Sequence, residues 1–213
     1  VAVARANLAT TLALAGRGPE ASEAAGEAYR VFARLLGSLH PYTPNAARNW
    51  AALLQNQGRY QAALDLLRTA EREQSRLASR ADHAELGLIQ ARIGVLLMRL
   101  GQSETGLAQL RQTIATLRRL YPRGHAALAE AETELGFALA DPGAAERLFR
   151  RVLAWRHARG SNITPRLAEA ECGLARALAQ QGRLYDGACL AEYRDWGYAD
   201  PVKVAALEAT FKR

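Results

Sequence analysis

The sequence has few of the residues that bind metals or stabilise small secreted domains. Only two cysteines occur in 213 residues, Cys172 and Cys189, and their spacing fits neither a metal-ligand pair nor a disulfide framework. No apolar stretch reaches the roughly 18 residues that a membrane-spanning helix requires, and no secretory signal peptide is recognisable. We therefore expect a protein of the reducing cytoplasm that has no membrane partner.

Motifs for catalysis are missing as well. The chain has no glycine-rich loop of the kind that cradles phosphates. Neither cysteine has an evident histidine partner that would turn it into a nucleophile. Glu130 and Glu134 share one helix face, but paired carboxylates on helices are usually solvated. We predict that the chain is not an enzyme and uses no cofactor.

Lysine is nearly absent, although the chain is basic. The formal net charge is +7, and lysine occurs only at Lys203 and Lys212, so arginine carries nearly all of the positive charge. A basic balance fits nucleic acid, an anionic surface or an acidic peptide as partner. Because the arginines are scattered, their simplest role is to solvate outer helix faces. The bias toward arginine and alanine also indicates a GC-rich, bacterial genome.

The residues that the sequence does contain favour helices. Hydrophobic residues make up 49% and charged residues 23% of the chain, so it can bury a core and is not disordered. Aromatic residues make up only 7%, and the filling is mostly alanine and leucine, which are strong helix formers. Alanine also lets neighbouring helix backbones approach closely. This composition predicts an all-α protein.

Glycines recur at a regular interval along the chain. The interval from Gly16 to Gly58 nearly equals the interval from Gly58 to Gly101, and Gly182 follows after close to two such intervals. Each glycine follows one apolar helical pattern and precedes another. A glycine at the end of a helix suits the left-handed backbone conformation of a C-terminal cap. The glycines therefore predict the turns between paired helices.

Histidines recur with the same period as the glycines, but at a different position within the repeat. His40, His83 and His125 follow one another at the glycine interval, and Thr164 takes the next place after a slightly shorter one. Each falls near the boundary of a repeat, so the histidines lie far apart along the array and cannot meet at one metal ion. A fixed period of roughly 42 residues is typical of a helical-repeat protein.

A small residue recurs in each predicted helix, inside an apolar stripe. In the first helices it lies seven positions before the turn glycine, and apolar neighbours one position before and three after keep the stripe on one face. The small residues are Ala9, Ala51, Gly94, Gly136 and Ala175 in first helices, and Ala21, Ala63, Gly106 and Ala145 in second helices. A small residue makes room for the neighbouring helix.

These patterns predict five helical hairpins in a single domain, followed by a C-terminal capping helix. The predicted repeats are about 1–39, 40–82, 83–124, 125–163 and 164–195, with the cap over 200–213. The first helices are expected near 1–15, 42–57, 83–100, 125–140 and 164–181. The second helices are expected near 19–36, 60–77, 103–120, 143–158 and 184–194. The turn Asp141–Pro142–Gly143 is shorter than the others, which explains the shorter interval before Thr164.

The segment from His40 to Leu67, HPYTPNAARNWAALLQNQGRYQAALDLL, resembles the tetratricopeptide repeat of the kinesin-light-chain type, whose unit is of the same length as the period found here. The matching residues are His40, Pro41, Thr43, Asn49, Ala51, Leu53, Gln57, Gly58, Tyr60 and Ala63. Later repeats keep the glycine turn but lose the tyrosine. The resemblance covers about residues 1–193.

The resemblance implies a right-handed superhelical solenoid whose first helices line a concave groove. It also implies a non-catalytic scaffold that binds a protein or peptide. Because the chain begins at Val1 inside a helical pattern, we expect the C-terminal part of a longer bacterial multidomain signalling protein, such as a signalling ATPase, a transcriptional regulator or a Ser/Thr kinase. The partner would then be a separate protein or another domain of the same parent chain.

Ten positions on the first helices are predicted to face the groove and contact the partner. They are Asn45, Arg48, Asn49, Gln55, Arg92, Met98, Glu130, Glu134, Phe137 and Arg176. Arg48, Arg92 and Arg176 could pair with the carboxylates of an acidic ligand. Glu130 and Glu134 interrupt any continuous basic stripe, and we expect Glu134 to pair with Arg92 of the preceding repeat.

Asn49 has a role that the resemblance implies. The family uses asparagine at this position to hold the backbone of an extended peptide, because an amide can donate and accept together. Later repeats carry Arg92, Glu134 and Gly173 in the same place. A groove that reads a peptide backbone uniformly is therefore not expected, and a solvated or inter-repeat role for Asn49 stays open.

Each of the three tryptophans could anchor a partner or pack within the protein. Trp50 takes the place of a core leucine, Trp155 lies on a second helix, and Trp196 lies near the predicted cap. Packing is the simpler role for all three.

Other binding functions stay open. A helical-repeat array could bind RNA, reading about one base per repeat, but the His-Pro boundaries fit the protein-binding type better, so nucleic acid is not favoured. The array could instead be the peptide-pheromone or small-ligand sensor of a transcriptional regulator, with Val95, Met98 and Phe137 as an apolar floor. A homodimer formed through an end repeat is a further alternative.

Overall fold

The computed structural model describes residues 1–76, 82–159 and 165–211, and within these ranges it contains eleven helices and no strand. The helices are α1 (Ala2–Leu14), α2 (Gly18–Leu36), α3 (Tyr42–Asn56), α4 (Tyr60–Ser75), α5 (Asp82–Arg99), α6 (Ser103–Leu120), α7 (Ala126–Ala138), α8 (Pro142–His157), α9 (Pro165–Gln180), α10 (Cys189–Arg194) and α11 (Pro201–Phe211). Each helix packs on the next in the chain from α1 to α11. The predicted all-α repeat fold is confirmed.

The first helices of the hairpins are α1, α3, α5, α7 and α9, and they lie where the sequence predicts them. Three parts of the predicted scheme fall outside the described residues. They are Thr164, the side chain of His83, and the last two residues of the predicted cap, 212–213.

The four turn glycines end first helices in the left-handed conformation, as predicted. The φ angles of Gly16, Gly58, Gly101 and Gly182 are +73°, +74°, +83° and +67°. In all four turns the residue after the glycine donates its backbone N–H to the carbonyl five positions earlier, at 2.9–3.0 Å. This bond satisfies a carbonyl that the helix end would otherwise leave unpaired. The same glycine cap therefore forms four of the hairpin turns.

The recurring small residues are buried and let the paired helices approach each other. All nine of them are buried: Ala9, Ala51, Gly94, Gly136, Ala175, Ala21, Ala63, Gly106 and Ala145. The closest approach is between α5 and α6, where a Cβ added to Gly106 would lie 2.5 Å from the carbonyl oxygen of Gly94. Leu67, Leu110 and Phe149, all at most 1% exposed, fill the space between hairpins.

The short turn between α7 and α8 is also present. The helix α7 ends at Ala138, and Asp141 caps α8 by accepting the backbone N–H of Gly143 at 2.9 Å. Pro142 takes the first helical position, where its missing N–H has no intrahelical partner to lose. This turn therefore replaces the glycine cap of the other hairpins.

The fifth hairpin differs from the prediction in two ways. Its second helix, α10, spans only Cys189–Arg194, whereas a helix near 184–194 was expected. Cys172 of α9 and Cys189 form a disulfide, so the expectation of no disulfide is wrong. The sequence could not reveal this pairing, because only the return of the chain onto α9 brings together two thiols 17 residues apart.

The C-terminal residues 196–211, which we call the tail, lie across the first helices rather than only over the last hairpin. The predicted C-terminal helix is present as α11, and it packs against α9 and α10. The loop before α11 reaches back to the first hairpin, where Gly197 lies against the backbone of Ala13 and Leu14. The tail therefore crosses the whole array.

Candidate binding groove

The five first helices form one face of the solenoid, which we call the first-helix face, and the tail occupies it. Hydrogen bonds and ion pairs join the tail to each of these helices in turn. The residues that make them are Thr10 of α1, Gln55 of α3, Arg99 of α5, Glu134 of α7 and Glu169 of α9.

The contacts of the tail with the first helices converge on two neighbouring charged residues. Asp200 contacts α3 and α5, and Lys203 contacts α7 and α9. The two residues are only three positions apart, which is about one helical turn. One turn of the tail therefore joins four first helices.

Asp200 is the first charged group by which the tail is held. Its carboxylate is 5% exposed and accepts hydrogen bonds from Gln55 Nε2 at 3.1 Å and Arg99 Nη2 at 2.6 Å. Its other oxygen accepts the backbone N–H of Val202 at 2.9 Å and so caps α11. Burial alone would raise the pKa of Asp200, but the charges of Lys203 and Arg99 outweigh it and lower the pKa.

Lys203 is the second charged group by which the tail is held. Its ammonium is 8% exposed and donates to Glu134 Oε2 and to Glu169 Oε1, both at 2.7 Å. It also lies 4.7 Å from the ring centre of Phe137. Burial would lower the pKa of Lys203, but the two carboxylates outweigh it and raise the pKa. The lysine therefore stays charged and joins α7 to α9 through the tail.

Glu169 is the most connected group of the groove. Besides its contact with Lys203, it accepts a hydrogen bond from Tyr193 Oη at 3.3 Å and forms an ion pair with Arg166 at 3.3 Å. Burial would raise its pKa, but the charges of Lys203 and Arg166 overcome this and lower the pKa to about 2. The Tyr193 hydroxyl accepts the backbone N–H of Asp200 at 3.3 Å, so the network also fixes the start of α11.

The loop before α11 is held by backbone and hydroxyl contacts. Asn56 Nδ2 donates to the carbonyl of Ala199 at 3.0 Å. The hydroxyls of Tyr198 and Thr10 lie 3.2 Å apart. These contacts hold the loop against α1 and α3, so the tail is bound along its length and not only at its two charges.

Five of the ten predicted partner-contact residues face the tail. Gln55, Glu134 and Phe137 contact Asp200 or Lys203 directly. Met98 and Arg176 line a pocket that remains between the tail and the first-helix face.

Of the other five predicted residues, two form ion pairs within the array, two are exposed and one is half-buried. Arg48 pairs with Glu85 at 2.6 Å, and Glu130 pairs with Arg166 at 3.0 Å. Arg92 is half-buried, while Asn45 and Asn49 are exposed. Asn49 lines a small cavity with Tyr198 of the tail.

The predicted pairing of Glu134 with Arg92 is wrong, because Glu134 pairs with Lys203. Lys203 belongs to the tail, which lies outside the repeats, so the repeat pattern did not indicate this partner. Arg99 and Glu169 were also missed as groove residues. The rare lysine at position 203 and the Asp-Pro start of α11 were the signals in the sequence that could have drawn attention to the tail.

The tryptophans pack within the protein, as expected. Trp50 lies against Gly26, where an added Cβ would be 2.9 Å from the indole ring. Trp155 donates from Nε1 to the carbonyl of Arg123 at 3.2 Å, and the guanidinium of Arg166 lies 4.7 Å from the ring centre of Trp196.

His40 and His125 accept backbone N–H groups at helix starts, whereas His157 lies in the last turn of α8. Nδ1 of His125 accepts the backbone N–H of Ala127 at 3.1 Å and caps α7. Across residues 1–76, 82–159 and 165–211, no group of three or more His, Cys, Asp or Glu side chains is arranged to hold a metal ion. The helices in the same ranges are all too short or too polar to cross a bilayer.

Comparison with protein families places the first part of the chain. Residues 1–72 match the family model of the tetratricopeptide repeat. This match includes the segment His40 to Leu67, on which the resemblance was based, and it confirms that resemblance. No curated protein matches the chain.

Solved structures with the same fold include kinesin-light-chain repeats. The nearly identical tetratricopeptide-like repeats of a kinesin light chain from Podosopora anserina share 20% identity, cover 99% of this chain and 96% of that one, and superpose with a TM-score of 0.58. A variant of those repeats gives 21% identity, coverage of 99% and 95%, and a TM-score of 0.59. The protein BtubC (BKLC) from P. vanneervenii gives 17% identity, coverage of 96% and 78%, and a TM-score of 0.58. At these identities the similarity establishes the fold.

Proposed function

We propose that this chain, a tetratricopeptide-repeat protein by its fold and by the match of its first 72 residues, is a non-catalytic scaffold that binds a protein or peptide segment on its first-helix face. The observation that carries the proposal is the tail itself. The face already holds a segment of polypeptide through buried ion pairs, backbone contacts and apolar packing. A partner segment could use the same contacts.

The charges of the groove define which segment fits. Gln55 and Arg99 together donate hydrogen bonds to a carboxylate, while Glu134 and Glu169 accept hydrogen bonds from an ammonium. The preferred ligand therefore carries Asp or Glu at one position and Lys three positions later, as the tail does. This ligand is of mixed charge, whereas the arginines of the sequence favoured an acidic one.

The tail belongs to the same chain as the groove that binds it, and this indicates where a partner segment could come from. A chain that binds its own tail can exchange it for a similar segment of another protein or of another domain of the same parent chain. A regulatory arm of a larger bacterial signalling protein fits this use. The same exchange between two copies would give a homodimer.

RNA binding is less favoured, because several arginines of the first-helix face are already neutralised. Arg48 pairs with Glu85, Arg99 with Asp200, and Arg166 with Glu130 and Glu169. A nucleic acid would have to break these pairs to gain its phosphate contacts. If the chain bound RNA with an affinity that fell steeply with salt, RNA binding would regain support.

A labelled peptide of residues 196–211 tests the proposal by competition with the tail. We expect it to bind the full-length double variant Asp200→Asn/Lys203→Met at least about tenfold more tightly than the wild-type chain, because a weakened tail leaves the groove and one charged bond is worth about a factor of ten. Fluorescence anisotropy measures both affinities.

Two controls make this result specific. Adding Glu134→Gln and Glu169→Gln to the double variant should remove peptide binding, because the ammonium loses its acceptors. Adding Arg147→Gln, which changes a side chain 75% exposed on α8, should leave binding unchanged. Equal peptide affinity for wild type and a folded double variant would refute the proposal.

A further inference from the structure

A pocket of about 210 Å³ remains between α11 and the first-helix face. Its floor is apolar and is formed by Val95, Met98 and Phe137, and α11 covers it with Val202 and Ala206. Val95 and Met98 belong to α5 and Phe137 to α7, so two repeats and the tail together build the pocket. Arg99, Glu134 and Lys203, which belong to the ion pairs that hold the tail, also line its wall.

One cation on the wall of this pocket has no carboxylate partner. Lys203 is neutralised by Glu134 and Glu169, and Arg99 by Asp200. Arg176 forms no ion pair with any carboxylate in the part of the chain that the structure describes. Its Nη1 donates to the carbonyl of Phe137 at 3.1 Å.

The environment of Arg176 is unfavourable for an unpaired charge. Its guanidinium is half-buried, lies 5.9 Å from the ring centre of Phe137, and has a pKa lowered by burial. A buried charge without a counter-ion costs free energy that an anion would recover. The guanidinium of Arg176 therefore offers N–H donors that an anionic ligand in the pocket could satisfy.

The volume limits the size of the ligand. An apolar cavity of about 150 Å³ accommodates a benzene molecule. A pocket of about 210 Å³ therefore has room for one six-membered ring or a short alkyl chain together with a carboxylate. The apolar floor suits the hydrocarbon part, and Arg176 can bind both carboxylate oxygens with its planar guanidinium.

We propose that this pocket binds a small apolar carboxylic acid, an aromatic or short-chain one, with its carboxylate on Arg176 and its hydrocarbon part on Val95, Met98 and Phe137. This is a small-molecule site beyond the binding of polypeptide segments. Because the ligand would contact both α11 and the first helices, it would bind only when the tail is in place. Binding therefore stabilises the docked tail by mass action.

Benzoate and its neutral isostere benzamide test the site on the full-length chain. We expect benzoate to bind at least about tenfold more tightly than benzamide, since a hydrogen bond between charged groups is worth about this factor. NMR titration of backbone amides measures both affinities, and the shifted amides should lie in α5, α7, α9 and α11. Hydrogen exchange of residues 201–211 should slow when benzoate is added and not when benzamide is added.

Three variants decide the assignment. Arg176→Gln should abolish the preference for benzoate, while Arg147→Gln, which removes an exposed arginine of α8, should preserve it. Ala206→Phe should weaken both ligands by filling the pocket. Equal affinity for benzoate and benzamide, or an unchanged preference in folded Arg176→Gln, would overturn the proposal. No peptide takes part in these measurements, so they can fail while the peptide test succeeds.

Discussion

Lys203 connects elements that no local pattern relates. Its ammonium donates to Glu134 and Glu169, which lie 69 and 34 residues away in the sequence. All three side chains are buried, with Glu169 only 2% exposed. Removing one member of a buried ion pair leaves its partner charged without compensation, which costs far more than the pair itself contributes. The lysine is therefore the cation that compensates Glu134, and it shares the compensation of Glu169 with Arg166.

Replacing Lys203 with methionine should destabilise the protein strongly. We expect Lys203→Met to lower the free energy of unfolding by about 3–5 kcal/mol, because Glu134 loses its cation and Glu169 keeps only Arg166. Urea denaturation followed by circular dichroism measures the change.

The triple variant Lys203→Met/Glu134→Gln/Glu169→Gln is the matched control for this prediction. It removes the two negative charges with the positive one, so it should recover most of the lost stability. A loss below about 1 kcal/mol for Lys203→Met alone would contradict the role given to the lysine, since such a value is ordinary for a point mutation.

At the scale of helices, the repeat depends on how closely paired helices approach. Gly94 of α5 and Gly106 of α6 pack backbone to backbone, and Met98 also lies over Gly106. Side chains at these positions have no space to relax into, because a backbone carbonyl cannot move aside as a flexible side chain can. Helix propensity alone would favour alanine at both positions. Packing between elements therefore overrides local preference here.

Adding one methyl group at this contact should destabilise the hairpin. We expect Gly106→Ala to cost about 1–3 kcal/mol through overpacking, despite the better helix propensity of alanine. Gly18→Ala is the matched control, since Gly18 also lies in a helix and an added Cβ there meets no atom within 4 Å. The control should be neutral or slightly stabilising. Thermal unfolding of the two variants side by side measures the difference, and equal melting temperatures would rule out the close contact.

At the scale of the whole molecule, the tail changes how the repeats depend on one another. A solenoid is nearly one-dimensional, because each repeat contacts only its neighbours. Here Tyr198 contacts α1, Asp200 contacts α3 and α5, and Lys203 contacts α7 and α9. One short segment therefore ties together hairpins from both ends of the array. This connection should make unfolding more cooperative than in a bare repeat array.

Removing the tail should reduce this cooperativity. We expect a chain that ends at Asp195 to unfold in urea with a lower m-value and a broader transition than the full chain, because its repeats can then open separately. Variants that keep only Trp50 or only Trp155, with the other tryptophans replaced by phenylalanine, report on the second and fourth hairpins separately. Their transitions should coincide in the full chain and separate in the shortened one. Coinciding, equally steep transitions in the shortened chain would show that the tail does not couple the repeats.

The sequence by itself determined the hairpins, because every signal for them is local. Gly58 needs only the preceding helix to adopt its left-handed cap, and Ala51 and Ala63 need only face each other across one turn. These features recur with the repeat, so the hairpins and the positions of their helices, apart from the second helix of the fifth hairpin, could be predicted without knowledge of the tertiary structure.

Only the tertiary structure decided what lies in the groove. The partners of Asp200 and Lys203 belong to four different helices, and Cys172 finds Cys189 only after the chain has folded back on α9. Ion pairs and disulfides form between groups that are close in space, and their separation along the chain carries no information about that closeness. For this reason the resemblance implied a concave groove for a partner, whereas the folded chain fills this face with its own tail.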